Sequence, residues 1–299
     1  MNRLRRLSPH FHLSLNPLFA LESRRVYWGG SEQLLFRYSR RWILFICPPL
    51  LVVGLLLAVL NSDSLSAGDF IVLLFAISLI ASLPFDFTSV STSIGSINSE
   101  ISAGRWDLLR LTSLRAQQII AAKHGAAQLR AWRWMIRIIA LRIAVALMIF
   151  YALVYVVASD DLSYYAFPSQ NLFIQDVLIS VIVILGLLIY ILEPFWRMRA
   201  VTALGVAISA RWQHSMSALA AVGAIFALWL VQGFIILALG LGISLLIFPL
   251  SLLEYEAFSV TFCSPLLIVV ISAATVYGFY SIVQTWSLRR AERWLARSN

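Results

Sequence analysis

Long apolar runs separated by short polar connections make up most of the chain. A run of about 20 apolar residues crosses the roughly 30 Å hydrocarbon core of a bilayer as a helix. A buried helix of a soluble protein would instead carry polar residues along one face. The pattern therefore predicts an all-α, polytopic membrane protein, a single transmembrane domain over residues 1–299. Its six spans are predicted at 42–60, 70–93, 138–158, 173–193, 217–242 and 265–286.

Composition and charge placement agree with this interpretation. Of the 299 residues, 61% are hydrophobic and 12% are charged, about half the charged fraction of a soluble domain. The connections after the first, third and fifth spans hold acidic residues and no Lys or Arg. The 23 basic residues fall in 3–41, 105–142, 197–211 and 289–297. The positive-inside rule then predicts a multi-pass protein of the cell membrane with both termini cytoplasmic, and the net charge of +9 needs no nucleic acid to explain it.

The fifth apolar region is too long for one span. Residues 212–253 hold no charge, and as a helix they would be about 60 Å long. Two full crossings would reverse the charge pattern, so we predict one span followed by an outer re-entrant element over 243–264. Pro249 and Pro265 would break helices at either side of that element.

The most polar segment, SEISAGRWDLLRLTSLRAQQIIAAKHG, covers residues 99–125. It belongs to a predicted cytoplasmic loop over 94–137. We expect a break at Gly104, a short helix after it and a second helix from about Leu114, with Thr112 or Ser113 as the N-cap. The chain would begin with a cytoplasmic amphipathic region over 1–41.

This segment resembles the coupling loop of type-2 ABC exporter permeases, the membrane subunits of many efflux transporters. Ser113 and Ala122 replace the usual Pro and Gly. The segments NPLFALESRR and ILEPFWRMRAVTALGVAISARW, with Gly205 and Ser209 in the latter, also look like parts of that family. The matching loop residues are Glu100, Gly104, Arg105, Trp106, Asp107, Leu108, Leu109, Leu111, Thr112, Leu114, Ile119 and Lys123.

The resemblance implies a partner ATPase subunit, a second permease subunit in a homo- or heterodimer, and contact with membrane lipids. The chain has no G-x-x-x-x-G-K-[ST] loop, so we expect that it is not itself the ATPase and holds no nucleotide cofactor. The residues that the resemblance implies for ATPase binding are Glu100, Gly104, Arg105, Trp106, Asp107, Leu109, Arg110, Thr112 and Leu114.

Two ionisable residues are predicted at membrane depth, Asp86 in the second span and Arg142 in the third. Such groups are candidates for a function. The simpler interpretation is that Pro84 bends the second span and that Asp86 pairs with an arginine, for which Arg142 is a suitable partner. Glu193 and Pro194 are expected to end the fourth span. The four His and the polar residues form no metal-binding or catalytic pattern.

Three functions fit these observations. The first is a permease subunit of an ATP-driven exporter. The second is an accessory or structural subunit of a larger membrane complex on a permease-like fold. The third is a membrane enzyme that acts on lipid, which is disfavoured because no cluster of catalytic residue types is visible. The sequence does not indicate a transported substrate.

Overall fold

A computed structural model describes residues 16–25, 32–60, 64–105, 109, 111, 114–158, 172–212, 214–252 and 258–297. In these ranges the secondary structure is helical. The helices are α1 (Pro17–Arg25), α2 (Glu32–Leu60), α3 (Ser64–Ile80), α4 (Ser82–Ser102), α5 (Ala116–Ala158), α6 (Leu172–Arg211), α7 (His214–Leu252) and α8 (Phe258–Arg297).

The prediction of an all-helical protein is confirmed for the described residues. Six helical segments are long and apolar enough to cross a membrane. One of them consists of α3 and α4, which are interrupted at Ala81. Pro84 lies in the first turn of α4 and has no N–H to donate to the preceding turn, so it accounts for the interruption.

The helix ends predicted at three prolines are wrong. α6 continues through Glu193 and Pro194 to Arg211. α7 continues to Leu252 with Pro249 inside it, and α8 starts at Phe258, before Pro265. An apolar stretch can satisfy its backbone in lipid only by staying helical, so one missing N–H does not end it. The outer re-entrant element over 243–264 stays a prediction, because its central residues 253–257 lie outside the described ranges.

The predicted cytoplasmic loop over 94–137 contains the end of α4 and the start of α5. α4 extends to Ser102 and α5 begins at Ala116, so only 103–115 connect the two helices. The helix expected from about Leu114 is found from Ala116, and it carries the basic residues between Lys123 and Arg142. At 1.5 Å per residue, the 43 residues of α5 span about 65 Å, roughly twice the hydrocarbon thickness.

Helix α6 lies at the centre of the bundle, packed against α4, α5 and α8. Its contact with α4 is very close at Gly205, where an added Cβ would lie 2.0 Å from the Ser93 Oγ and 2.9 Å from its Cβ. One turn later, the Ser209 Oγ accepts hydrogen bonds from the backbone N–H groups of Ile97 and Asn98 at 3.1 and 3.0 Å. The two residues fix how α6 sits on α4.

Candidate functional site

Helix α1 is held against the start of α5. Its N-cap is Asn16, whose Oδ1 accepts the Leu18 N–H at 3.0 Å, and Pro17 occupies the first helical position. The Asn16 Nδ2 donates to the Gln118 carbonyl at 2.8 Å. Phe19 is buried against residues of α5. The amphipathic helix expected over residues 16–25 is thus present, and it packs on the bundle.

Below α1, five charged side chains form what we term the basic-end junction: Glu22, Glu100, Arg105, Lys123 and Arg130. The Lys123 Nζ lies 2.6 Å from the Glu22 Oε1 and 3.0 Å from the Glu100 Oε1. Arg130 pairs with Glu22 at 3.1 Å, and Arg105 pairs with Glu100 at 3.0 Å. The junction joins α1, the end of α4 and the start of α5 around a cavity of about 150 Å³.

Lys123 is the member of the junction on which the others depend. Its side chain is 3% exposed, and it lies between two carboxylates that would otherwise repel each other. An ammonium group buried with two carboxylates is strongly tied to them, because any one of the three left alone would be an uncompensated charge. The basic-end junction therefore holds α1 and the α4 end together as one unit.

The predicted ATPase-binding residues fall into different environments. Glu100 lies in the basic-end junction and is buried, while Arg105 beside it is half exposed. The expected break is found at Gly104, whose φ of +65° is a backbone conformation that glycine adopts readily at the end of a helix. Leu109 and Leu114 pack on a core cluster of α4, α5, α6 and α8. Trp106, Asp107, Arg110 and Thr112 lie outside the described ranges.

One residue of this connection stands apart from the core. Leu111 is 84% exposed, the largest fraction among the large hydrophobic side chains of the described ranges.

The start of α5 also differs from expectation. The helix begins at Ala116, and the Gln118 Oε1 accepts the Arg115 N–H at 3.0 Å, so Arg115 takes the N-cap position rather than Thr112 or Ser113.

A second group, termed the intramembrane cluster, consists of Asp86, Arg142, Glu193 and Arg197. All four lie within the spans. The Asp86 Oδ1 lies 3.3 Å from the Arg197 Nε, and its Oδ2 accepts a hydrogen bond of 2.8 Å from the Trp229 indole N–H. Asp86 is fully buried. The expected pairing of Asp86 with an arginine is found, but the partner is Arg197 and not Arg142.

Arg142 pairs with Glu193 instead. The Arg142 Nη1 donates to the Glu193 Oε2 at 2.8 Å and to the Tyr190 carbonyl at 2.7 Å, and its Nη2 donates to the Ser82 Oγ at 3.2 Å. Tyr280 on α8 donates to the other oxygen of Glu193 at 2.5 Å. The guanidinium of Arg142 also faces the Tyr190 ring at 4.8 Å, a favourable cation–π geometry.

The intramembrane cluster is neutral and links five helices. Arg197 connects its two pairs, since the Nη1 lies 3.5 Å from Glu193 while Nε faces Asp86. It also donates to Gln232 on α7 and stacks on Trp229 at 4.8 Å. Two carboxylates thus balance two guanidinium groups, with hydrogen bonds from aromatic side chains. Such an arrangement fixes helix positions, because removing any member leaves the buried charges unbalanced.

Sequence reasoning missed Glu193 and Arg197 as members of one site. Their spacing is the signal that could have found them, since residues four apart lie on the same face of a helix and both occur in an apolar segment. Pro194 drew attention away because it suggested a helix end. Among the residues that the structure describes, no three His, Cys, Asp or Glu side chains are grouped to hold a metal ion.

The fold and the two charged groups define a multi-pass α-helical membrane protein. The chain matches no protein-family model, and no curated protein or solved structure is detectably similar to it. The class therefore rests on the helices themselves, and a more specific function has to be argued from the residues.

Proposed function

We propose that this chain is the membrane-spanning permease subunit of an ATP-driven exporter, which couples ATP hydrolysis by a separate ATPase subunit to movement of a substrate across the membrane. We call the end of the bundle that carries the basic-end junction and the arginines after residue 288 the basic end. In this proposal the basic end faces the cytoplasm, because basic residues concentrate on that side of membrane proteins. The loop motif from Glu100 to Lys123 supports the class of exporter. The proposed complex contains two permease subunits and two ATPase subunits.

The exposure of Leu111 is the observation that best supports a docking role for the 103–115 connection. An apolar side chain that is 84% exposed beyond the spans has no partner in its own core, and anchors of protein interfaces are apolar side chains of this kind. Leu109 and Leu114, which the resemblance also implied for ATPase binding, pack on the core cluster instead and attach the connection to the bundle. The proposal therefore gives Leu111 the anchoring role.

The basic-end junction supplies a route from such a docking site into the bundle. Force on the connection would act on Glu100 at its start, and Glu100 is joined through Lys123 to α1 and α5. The connection is thus tied at both ends to rigid helices rather than hanging free. Coupling requires an element of this kind, one that cannot move without moving the spans.

The accessory-subunit alternative is favoured by a different observation. All four charges of the intramembrane cluster are used in pairs within the chain, which leaves no unpaired charge there for a substrate. A protein that had lost transport while keeping its fold would retain such a cluster for stability. The two functions differ in whether ATP hydrolysis by a bound ATPase responds to this chain.

A pair of substitutions at Leu111 tests the proposal. Leu111→Asp would place a charge in the docking surface, while Leu111→Met keeps an apolar side chain, and neither disturbs the core because the residue is exposed. Each variant is expressed together with the ABC ATPase subunit proposed as its partner. We expect Leu111→Asp to lose ATPase co-purification by about tenfold or more, as for a hot-spot residue, and Leu111→Met to retain it.

Asp107→Arg extends the test to substrate-stimulated ATP hydrolysis. If the connection only lay on lipid headgroups, the added basic residue would strengthen adhesion to anionic lipid and leave ATPase binding unchanged. If it docks on an ATPase, hydrolysis is expected to become uncoupled. Wild-type co-purification and hydrolysis in both Leu111→Asp and Asp107→Arg would refute the proposal and favour the accessory subunit.

A further inference from the structure

The last third of α8 carries a groove whose lining changes from apolar to basic along the helix. Its volume is about 650 Å³. Ile282 and Trp286 form the apolar part and are 70% and 54% exposed. Arg289, Arg290 and Arg293 form the basic part. Residues three, four and seven positions apart lie on one helix face, so the groove runs along α8 from the span to the basic end.

The opposite face of α8 is already used. Ala291 and Leu295 are buried in the core cluster with residues of α4, α5 and α6. The groove therefore lies on the outer side of the bundle, where the chain meets the bilayer. Both parts belong to the segment Val269–Ala296, which is long and apolar enough to span a membrane. Because basic residues concentrate at the ends of membrane spans, we expect the basic part at the level of the headgroups.

The basic part is organised rather than merely charged. The Arg290 guanidinium lies 4.7 Å from the Trp286 ring and 5.4 Å from the Trp294 ring, so it is held between two indoles. The Arg211 guanidinium, at the end of α6, also lies 5.0 Å from the centre of the Trp294 ring. Stacking of this kind orients an arginine without neutralising it, which leaves its N–H groups available to an anion.

In the described part of the chain, Arg289, Arg290 and Arg293 make no ion pair. Glu292 follows Arg289 by three positions, a spacing that makes the two residues neighbours on the helix surface, but they form no ion pair in the described part of the chain. Three unpaired guanidinium groups on one face produce a strong positive potential at the membrane surface.

From this geometry we propose that the α8 groove binds an anionic phospholipid of the leaflet at the basic end. The phosphate is held by Arg289, Arg290 and Arg293, and an acyl chain lies along Ile282 and Trp286. Anionic lipids are attracted to basic clusters at the ends of membrane helices. The combination of an apolar channel with a basic end distinguishes a lipid from a soluble phosphate, which would use only the basic part.

Native mass spectrometry of the purified full-length chain tests the site. The probes are dioleoyl-phosphatidylglycerol, which is anionic, and dioleoyl-phosphatidylcholine, which has no net charge. We expect the anionic lipid to bind at least about tenfold more tightly. In Arg289→Gln/Arg293→Gln its affinity is expected to fall about thirtyfold, since each arginine near an anionic headgroup contributes about fivefold. Binding of the neutral lipid stays unchanged.

A matched control removes the same charge elsewhere. Arg40→Gln/Arg41→Gln alters two exposed arginines of α2 and is expected to change the affinity by less than about threefold. An equal loss in this control, or equal affinity for the two lipids in the wild type, would show nonspecific attraction and overturn the proposal. Arg290→Gln is a second groove variant, expected to weaken only the anionic lipid, and a wild-type affinity there also contradicts it. Displacement of the bound lipid by excess glycerol phosphate would assign the groove to a soluble anion instead.

Discussion

Replacing Arg197 by Gln should be among the most destabilising single changes in the bundle. Arg197 connects the two halves of the intramembrane cluster, with its Nε 3.3 Å from Asp86 and its Nη1 3.5 Å from Glu193. The substitution removes the charge and leaves a polar amide on a side chain that is two atoms shorter. Asp86, which is fully buried, then keeps the Trp229 hydrogen bond and loses its only ion pair within the described ranges.

The two carboxylates do not lose equally. Glu193 still has Arg142 at 2.8 Å and Tyr280 at 2.5 Å, so its environment changes little. Asp86 dominates the effect, and removing one partner of a buried pair destabilises a protein by about 3–5 kcal/mol. Asp86→Asn is milder, about 1–3 kcal/mol, because Arg197 retains Glu193 and the amide oxygen still accepts from Trp229.

The double variant Asp86→Asn/Arg197→Gln restores neutrality and distinguishes pairing from simple loss of packing. Its destabilisation is expected to fall below the sum of the single changes by about 0.5–3 kcal/mol. The free energy of unfolding is measured by titrating the purified protein with dodecyl sulfate in mixed micelles. Arg41→Gln, at an exposed position of α2, serves as the control and should change it by less than about 0.5 kcal/mol.

Two results would contradict this reasoning. One is an Arg197→Gln variant as stable as the control, which would mean that the Asp86 contact contributes nothing. The other is strict additivity in the double variant, which would mean that the two side chains do not interact.

Three further outcomes follow from the structure. Gly205→Ala should destabilise the bundle by about 1–3 kcal/mol through overpacking against α4, whereas Gly223→Ala, with nothing within 4 Å of its added Cβ, should not; equal unfolding energies would refute the close contact. Lys123→Met should remove the one cation that Glu22 and Glu100 share and leave each with its arginine alone, which should loosen α1 and speed trypsin cleavage within it; unchanged cleavage would contradict the role of the basic-end junction. In intact cells, a cysteine at Ser64 should react with an impermeant maleimide and one at Ser113 should not, and the reverse pattern would invert the proposed orientation.

The spans could be predicted from the sequence because their signal is local. The length of an apolar run can be read directly from the sequence, and that length determines whether the run can cross a bilayer as a helix. The break at Gly104 was predictable for the same reason, since glycine readily adopts the positive φ found there. The helical continuation through Pro194 was not, because it depends on how costly an unpaired backbone is in lipid, which a local rule for proline leaves out.

The partners within the intramembrane cluster could not be predicted either. Asp86 and Arg142 were predicted as charged residues at membrane depth, and both lie in segments long and apolar enough to span a membrane. Their pairing, however, depends on which helices α6 contacts. α6 lies between α4 and α5, and it supplies a partner to each of them. A choice between Arg142 and Arg197 for Asp86 requires that arrangement, and nothing within α4 or α5 alone encodes it.

The pairing through α6 also constrains the order in which the chain can enter the membrane. Asp86 and Arg142 are synthesised in the second and third spans, but their partners Glu193 and Arg197 arrive only with the fourth. Each unpaired charge at the centre of a helix raises the insertion free energy by about 2.5–3.5 kcal/mol, so α4 and α5 have to wait beside the insertion machinery until α6 emerges. Crosslinks from α4 to that machinery in ribosome-bound chains should therefore persist in chains that end before α6 and disappear in longer ones.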